Sequence, residues 1–494
     1  MVPGSRTPEP PGPAKEPSAQ VPEIARVCNG LPCTLRGAEG VRRDLEGHGT
    51  ACSGAACLGY CDHGPVVERE GRYFAVRNGA EVEIEESLPS HVESHRQTLG
   101  EYRASGGYSA LLAHLNGGDP EDLIARAERA ALRGMGGAGF PTHLKLRSLR
   151  SAHSQDRVLL VNAHEGEPGT FKDRVLMERN PHLLLEGCLL AALSVGAREI
   201  VIATKPEYAN AVASLEEALD ELKAFAHEEG IADDLPPRTL RIVPGSYVTG
   251  EETALIEAVE GHRSEPRLRP PFPTESGLGG RPTLVQNVET LSLLPGLMMP
   301  GASSHAPKMF CVSGDVTRPG AYQEPLGITV TELLSRDGGG LPAGLKAFLP
   351  GGLSGGILPA EATPLALEFD AVRSAGAGLG TGAVIAIGGD RCILEPLSSI
   401  ASFFAQESCG KCVPCRLGTR KLDLLVRSLR NGTASEDDVA EGIATAQLLS
   451  EASLCALGQA AGKVFRDGMH HFGTEVLAHT RSECPAGRCP LEGS

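Results

Sequence analysis

The chain has 494 residues, 41% of them apolar and 22% charged, with a net charge of −16. At roughly 100–200 residues per domain, this length predicts three or four domains. The acidic balance argues against nucleic acid or an anionic membrane as a partner, although a cradle for phosphate can still be built locally. No apolar run approaches the ~18–20 residues needed to span a bilayer, so direct membrane insertion is not expected.

Residues 1–21 form a Pro-rich tail expected to be disordered, with six prolines in the first twenty positions. The tail lacks the apolar core of a signal peptide, which points to a cytoplasmic location. In a reducing compartment, 14 cysteines imply metal or redox chemistry rather than disulfides. Residues 22–97 are rich in Cys and Gly and end in strand-like RYFAV and EVEIEE. A helix is expected near 121–133, where Ile124, Ala127 and Ala131 recur at helical spacing. Between 98 and 304 the chain alternates strands (157–163, 199–204, 239–245) with helices (183–196, 206–228, 250–260). That alternation predicts a mostly parallel sheet covered on both faces. Residues 305–390 read as a small β module (KMFCVSG, PGAYQ, LKAFLPGG, AVIAIGG) with one helix, TVTELL. From 391 to 480 nearly all is helix, with Ser435 placed to cap one segment. Residues 481–494 form a short C-terminal tail.

The cysteines carry the strongest motif. Cys409, Cys412 and Cys415 form C-x2-C-x2-C, and Cys455 adds a fourth thiolate some forty residues later. Three ligands on one loop with a fourth from elsewhere suit a [4Fe–4S] cubane, and Lys411 and Arg416 could offset its charge. Zinc is the alternative, though it more often uses two separated pairs. Cys28, Cys33, Cys57 and Cys61 form two pairs that could hold [2Fe–2S] or zinc. Cys52 falls outside both pairs and is assigned to packing. Cys188, Cys311 and Cys392 stand alone and read as small core residues. Cys484 and Cys489 in CPAGRCP cannot complete a cluster by themselves; a partner-shared site, a redox pair and a vestige all remain open.

Residues 134–139 read GMGGAG, a match to G-x-G-x-x-G. The motif follows a helix rather than a strand, so the simple dinucleotide-binding reading fails its context. Such glycines can still bring backbone N–H groups to a phosphate or flat ring, with Lys145 to neutralise charge and Phe140 to stack. Asn162, His164, Glu165 and Glu167 follow the first strand of the α/β region, where open sheets bind ligands. Gly250 begins a helix whose first-turn N–H groups could hold phosphate, although Glu251 and Glu252 would repel one there and fit better against sugar or amide groups. Arg269, Phe272, Gln286, Asn287 and Thr290 are further candidate cofactor contacts.

With RGMGGAGFPT, NAHEGEPGTFKDR, GEETALIEAVEG, RPPFP, PTLVQNVET, ESCGKCVPCRLGT and SLCALG assembled in order, the chain resembles the NADH-binding 51-kDa-type flavoprotein subunit of respiratory complex I and its soluble relatives. The resemblance covers about residues 125–480. Residues 26–76 look like a shortened thioredoxin-like [2Fe–2S] ferredoxin, and SGDVTRPGAYQEPLG resembles a soluble-ligand-binding β-grasp domain. The implied architecture is α/β: ferredoxin-like domain, Rossmann-like FMN/NADH domain, β-grasp module, and C-terminal helical bundle with a [4Fe–4S] cluster. The fused ferredoxin-like domain and FLPGGLSGGILPA are most similar to the beta subunit of soluble NAD-dependent formate dehydrogenases.

By that resemblance FMN sits on Gly134, Gly136, Gly137, Lys145, Asn162, His164, Gly250, Glu251, Asn287 and Thr290, with Gln286 alongside. NADH stacks near Phe140, Glu165, Glu167, Glu252, Arg269 and Phe272. His164 stands where Asp is common, Gln286 where Asn is common, Arg269 for Lys and Met135 for Arg. The implied activity moves a hydride between NAD(H) and FMN and single electrons through [4Fe–4S] and [2Fe–2S] centres. The implied partners are a molybdenum- or tungsten-containing catalytic subunit and a small [2Fe–2S] subunit. A hydrogenase diaphorase or a complex I arm is the rival assignment. A flavin-free electron-transfer scaffold, resting on His164 and Gln286, is the rival from another class.

Overall fold

The computed structural model describes residues 24–84, 95–299, 301 and 306–491. The Pro-rich tail, the end of EVEIEE and the last three residues lie outside them. Among the described residues the strands form three sheets, with helices between them and four long helices following at the C-terminal side.

The first sheet contains β1 (Ile24–Cys28), β2 (Ala51–Ala55), β3 (Val66–Arg69), β4 (Arg72–Arg77) and β5 (Ala80–Glu83), in the order β2-β1-β3-β4-β5. Only β1 and β2 are parallel; the remaining pairs are antiparallel.

The second sheet is wholly parallel, with β6 (Arg157–Ala163), β7 (Ala197–Thr204), β8 (Arg238–Ile242) and β9 (Thr283–Asn287) in the order β8-β7-β6-β9. Leu159 and Val161 face one apolar cluster while Val158 and Leu160 face another. Both sides of β6 are therefore buried, as continuous apolar strands in parallel sheets require. Strand β9 was not anticipated, because its PTLVQN sequence ends in polar residues that read as ligand contacts. The helix expected at 121–133 spans Pro120–Arg129 and stops where Ala131 takes a positive φ of 48°. The one expected from 206 starts at Ala209, after a turn in which Tyr208 N–H bonds Lys205 O at 3.2 Å. The strand expected at 239–245 ends at Ile242, just before Val243 and Pro244.

The third sheet contains β10 (Pro307–Gly314), β11 (Gly320–Pro325), β12 (Leu345–Leu349), β13 (Leu358–Pro359) and β14 (Ala383–Gly388), ordered β11-β10-β14-β12-β13. TVTELL yields one α-turn, Val330–Glu332, capped reciprocally by Thr329 and Glu332, which then widens over Leu333–Asp337. A second helix, Phe369–Ser374, adds to the one expected. Side chains alternate along β14: Val384 and Ala386 join the core of the parallel sheet, and Ile385 and Ile387 join that of the C-terminal helices. This sheet is the layer between the two cores.

The four long helices are Leu394–Glu407, Val413–Asn431, Glu436–Ala452 and Ala456–Ala478. Ser435 caps the third with Asp438 completing a capping box. Among the described residues no helix is long and apolar enough to cross a membrane.

Candidate functional site

The carboxyl ends of β6 and β9 lie side by side, with Asn162 in register with Asn287. Asn162 Nδ2 donates to Gly250 O at 2.8 Å and its Oδ1 accepts His164 N–H at 3.2 Å. His164 Nε2 lies 3.0 Å from Pro244 O. A carbonyl only accepts, so Nε2 carries the proton and Nδ1 is an acceptor. That Nδ1 is buried and has no hydrogen-bond partner among the described residues. Burial, reinforced by the charge of Lys205, holds the imidazole down at about 3, so it is neutral at physiological pH.

The glycine loop folds back between two helices. Arg133 bridges to Pro141, and Gly134 N–H bonds Phe140 O at 2.8 Å. Gly137 has φ +127°, and a Cβ on Gly136 would press on the Asn287 side chain at 3.1 Å. Met135 N–H donates to Thr290 Oγ1 at 2.8 Å, seating the loop over the exit of β9. Gln286, on β9, is buried and accepts the Asn287 N–H at 3.4 Å. Phe140 and Phe272 present 53% and 51% of their surface to solvent, leaving two aromatic faces open for a planar partner.

A charged rim follows. Lys145 Nζ lies 2.8 Å from Glu252, which also holds Arg269 at 2.7 Å; Glu251 lies 3.5 Å from Arg269. Burial works against the Glu252 carboxylate, but Lys145 and Arg269 hold it below its usual range. One expectation is corrected here. The helix after Gly250 runs Glu252–Val259, and the Glu251 carboxylate itself accepts the N–H groups of Thr253 and Ala254. Those first-turn donors are occupied by the chain's own cap rather than open to a phosphate.

Glu165 and Glu167 are buried rather than solvated. Glu165 accepts Asp173 N–H at 3.0 Å, Arg174 N–H at 3.2 Å and the Tyr208 hydroxyl at 3.0 Å. Burial and the neighbouring Asp173 carboxylate raise Glu165 to about 7. Glu167 accepts the Tyr247 hydroxyl at 2.7 Å and Ser354 N–H at 2.8 Å, and burial raises it too. Beneath them lies a charge network that sequence reasoning missed. Lys172 contacts Asp173 at 2.6 Å and Glu289 at 3.1 Å, and Lys308 reaches Glu289 at 3.2 Å. Asp173 also accepts Asn287 Nδ2 at 2.7 Å, tying the network to the site. Charged residues in sequence read as solvated by default, and only the tertiary packing marks these as interior.

Cys28, Cys33, Cys57 and Cys61 converge at one end of the first sheet. Cys57 and Cys61 have sulfurs 3.7 Å apart. A Cβ on Gly30 would lie 3.4 Å from Cys57 Sγ and 3.5 Å from Cys28 Sγ, and one on Gly64 would lie 3.0 Å from Cys33 Sγ. Gly59 and Gly169 donate backbone N–H groups to Cys57 and Cys61 at 3.4 and 3.2 Å. Cys52 lies apart on β2, packed beside that core. Cys188 and Cys311 are buried in the interior as expected.

Cys409, Cys412, Cys415 and Cys455 line one pocket. Cys412 and Cys455 are the N-caps of two of the long helices, so two positive helix ends face the thiols. Lys411 does not stand free beside them: it pairs with Glu265 at 3.0 Å and Pro266 O at 2.8 Å. Arg416 is exposed and reaches Gly410 O at 3.4 Å. This donor set fits a cubane bound from two helix starts, as the cradle at β6 and β9 fits a flavin. Cys392, read as a lone core residue, is not alone: it meets His479, Cys484 and Cys489. Those three partners lie far along the chain, where spacing carries no signal.

Residues 127–295 match the Nuo51 FMN-binding domain, 309–357 the SLBB domain, and 395–479 the NADH-ubiquinone oxidoreductase-F iron–sulfur binding region. The NADH-quinone oxidoreductase F 2 subunit of Rhizobium meliloti (strain 1021) is 37% identical over 415 residues, covering 80% of this chain and 96% of the relative. The chain belongs to this family of NADH-quinone oxidoreductase F subunits. The corresponding F subunit of Rickettsia massiliae (strain Mtu5) is 36% identical, covering 73% and 89% respectively. A crystal structure of NAD+-reducing [NiFe]-hydrogenase in the H2-reduced state superposes with a TM-score of 0.83 at 29% identity, covering 94% of this chain and 85% of the matched chain. As an F-type subunit the chain is an NAD-dependent flavoprotein with FMN and a [4Fe–4S] cluster, of the kind found in multisubunit electron-transfer complexes.

Proposed function

We propose that the cradle at the carboxyl ends of β6 and β9 exchanges a hydride between NAD(H) and FMN, and that the cysteine sets carry single electrons onward. The observation that carries this reading is the convergence, over Asn162 and Asn287, of the glycine loop and the unpartnered His164 Nδ1, with Phe140 exposed at the end of that loop. When bound, FMN supplies the conversion between two-electron and one-electron chemistry. The chain supplies position. Gly134, Gly136 and Gly137 offer backbone close to the ring and phosphate. Asn162, His164, Gly250, Glu251, Gln286, Asn287 and Thr290 align the flavin, and Lys145 balances its charge. Phe140 and Phe272 take the nicotinamide nucleotide, with Glu165, Glu167, Glu252 and Arg269 setting the polarity around it. No side chain is needed as a general base. Cys409, Cys412, Cys415 and Cys455 hold [4Fe–4S], and Cys28, Cys33, Cys57 and Cys61 hold [2Fe–2S].

The finer assignment is to the beta subunit of a cytoplasmic NAD-dependent formate dehydrogenase. It would work with a molybdenum- or tungsten-containing subunit and a small [2Fe–2S] subunit. The N-terminal cysteine domain and the FLPGGLSGGILPA string support it. A hydrogenase diaphorase is the second reading, favoured by the likeness that covers 94% of the chain. The holo-subunit should oxidise NADH with ferricyanide as acceptor; protein loaded with FMN and iron that does not would refute the diaphorase. Acid release of a fluorescent flavin separates it from a flavin-free scaffold. The complex purified from its source should reduce NAD+ with formate, whereas reduction with H2 alone assigns it to a hydrogenase.

A further inference from the structure

Apart from the flavin cradle and the two cysteine sets described above, four soft ligands meet at the far end of the C-terminal helices. Cys392 follows β14 at the entry to the first long helix, and His479 follows the last. Cys484 and Cys489 lie in the closing CPAGRCP turn. Their ligand atoms all lie within 4.8 Å of one another. Cys392 Sγ is 3.5 Å from both His479 Nε2 and Cys489 Sγ. A tetrahedral zinc with bonds of about 2.3 Å to sulfur and about 2.0 Å to nitrogen sets such ligands roughly 3.5–3.8 Å apart. The Cys392–Cys489 and Cys392–His479 separations match edges of such a tetrahedron and exceed a disulfide bond, and the 4.8 Å bound on the rest groups the ligands more tightly than the thiolates of a cubane.

The surroundings orient the ligands. His479 Nδ1 lies 2.9 Å from Glu475 O, so that nitrogen carries the proton and Nε2 turns its lone pair toward the sulfurs. Arg488 N–H donates to Cys484 Sγ at 3.3 Å, shaping the turn around the sulfur. The Arg488 guanidinium then pins the turn to Asp390 at 3.2 Å and Glu395 at 3.3 Å, on either side of Cys392. Cys392 and His479 are fully buried.

The geometry points to a structural zinc site formed by Cys392, His479, Cys484 and Cys489. The ion fastens the 484–489 turn to the junction between β14 and the helical region. Zinc has no redox chemistry, so the site takes no part in electron transfer.

The test uses the holo-subunit with its flavin and iron, purified without chelator from zinc-replete cells. Elemental analysis should give about one zinc per chain, and zinc-edge X-ray absorption three sulfurs near 2.3 Å with one nitrogen near 2.0 Å. Cys484→Ser combined with Cys489→Ser should lose the zinc while FMN and iron stay at wild-type levels. Cys489→His preserves four ligands, so it should retain zinc with a second nitrogen in the shell; that outcome serves where the double variant does not fold. Zinc-free holo-subunit, a Cys392–Cys489 disulfide found by mass mapping, or zinc undiminished in a folded double variant would each overturn the proposal.

Discussion

At the scale of single residues, burial decides protonation, and His164 is the clearest case. Its folded pKa of about 3 lies below the ordinary 6.5 because burial penalises the imidazolium. The unfolded chain therefore takes up a proton that the folded one refuses. The stability this gives is complete above pH 6.5 and is lost as pH falls toward 3, at up to about 1.4 kcal/mol per pH unit. His164→Asn should flatten the decline in melting temperature between pH 6.5 and 4, and an unchanged slope would place the titration elsewhere. A buried ion pair makes the second case. Arg174 meets Asp62 at 2.8 Å with both side chains out of water. Asp62→Asn leaves that guanidinium with the Glu178 carboxylate, at 3.2 Å, a change that should cost about 1–3 kcal/mol. Limited proteolysis should then release the N-terminal sheet earlier than in wild type. Neither effect was legible in the sequence: His164 was recognised as a site candidate from its motif, but its neutrality comes from burial and the charge of Lys205, which only the fold brings about, and Asp62 drew no attention beside the cysteines.

At the scale of elements, close packing sets the tolerances. A Cβ on Gly187, in the helix Pro181–Val195, would overlap the backbone oxygen of Leu291. The obstruction is backbone and cannot rotate away. Gly187→Ala should destabilise by at least the ~1–3 kcal/mol of ordinary overpacking, seen as loss of soluble flavin-containing protein. Gly40, also helical, has nothing within 4 Å of its added Cβ. Gly40→Ala should raise stability by up to about 1 kcal/mol, measured by thermal denaturation. Cys455, which caps the last long helix, permits another separation. Cys455→Ser should abolish the cubane's electron paramagnetic resonance signal and lower the iron content, while FMN-dependent ferricyanide reduction persists. Element reading succeeded where one period ran unbroken, as in β6, β7 and the long helices. It failed at β9, whose polar end is shaped by its role beside Asn162, and at Phe369–Ser374, too short to show a helical period.

At the scale of the whole molecule, the family could be read from ordered motifs, but the way the parts are joined could not. The loop 162–171 is where they meet. Gly169 N–H reaches Cys61 in the first sheet at 3.2 Å, and Ser354 N–H reaches Glu167 at 2.8 Å. Thr170 and Thr381 hydroxyls lie 2.6 Å apart, and Tyr247, bonded to Glu167, packs its ring against Phe403 of the helical region at 5.2 Å. Such contacts join residues from 80 to 211 positions apart, where no local pattern records them. The loop's anchors also impose an order in time. On the ribosome the parallel sheet is complete once β9 has emerged, yet Ser354, Thr381 and Phe403 are still unmade. The loop beside the flavin cradle gains these anchors only after they arrive, so firm retention of the cofactor should follow synthesis of Phe403 rather than the moment its own sheet is finished.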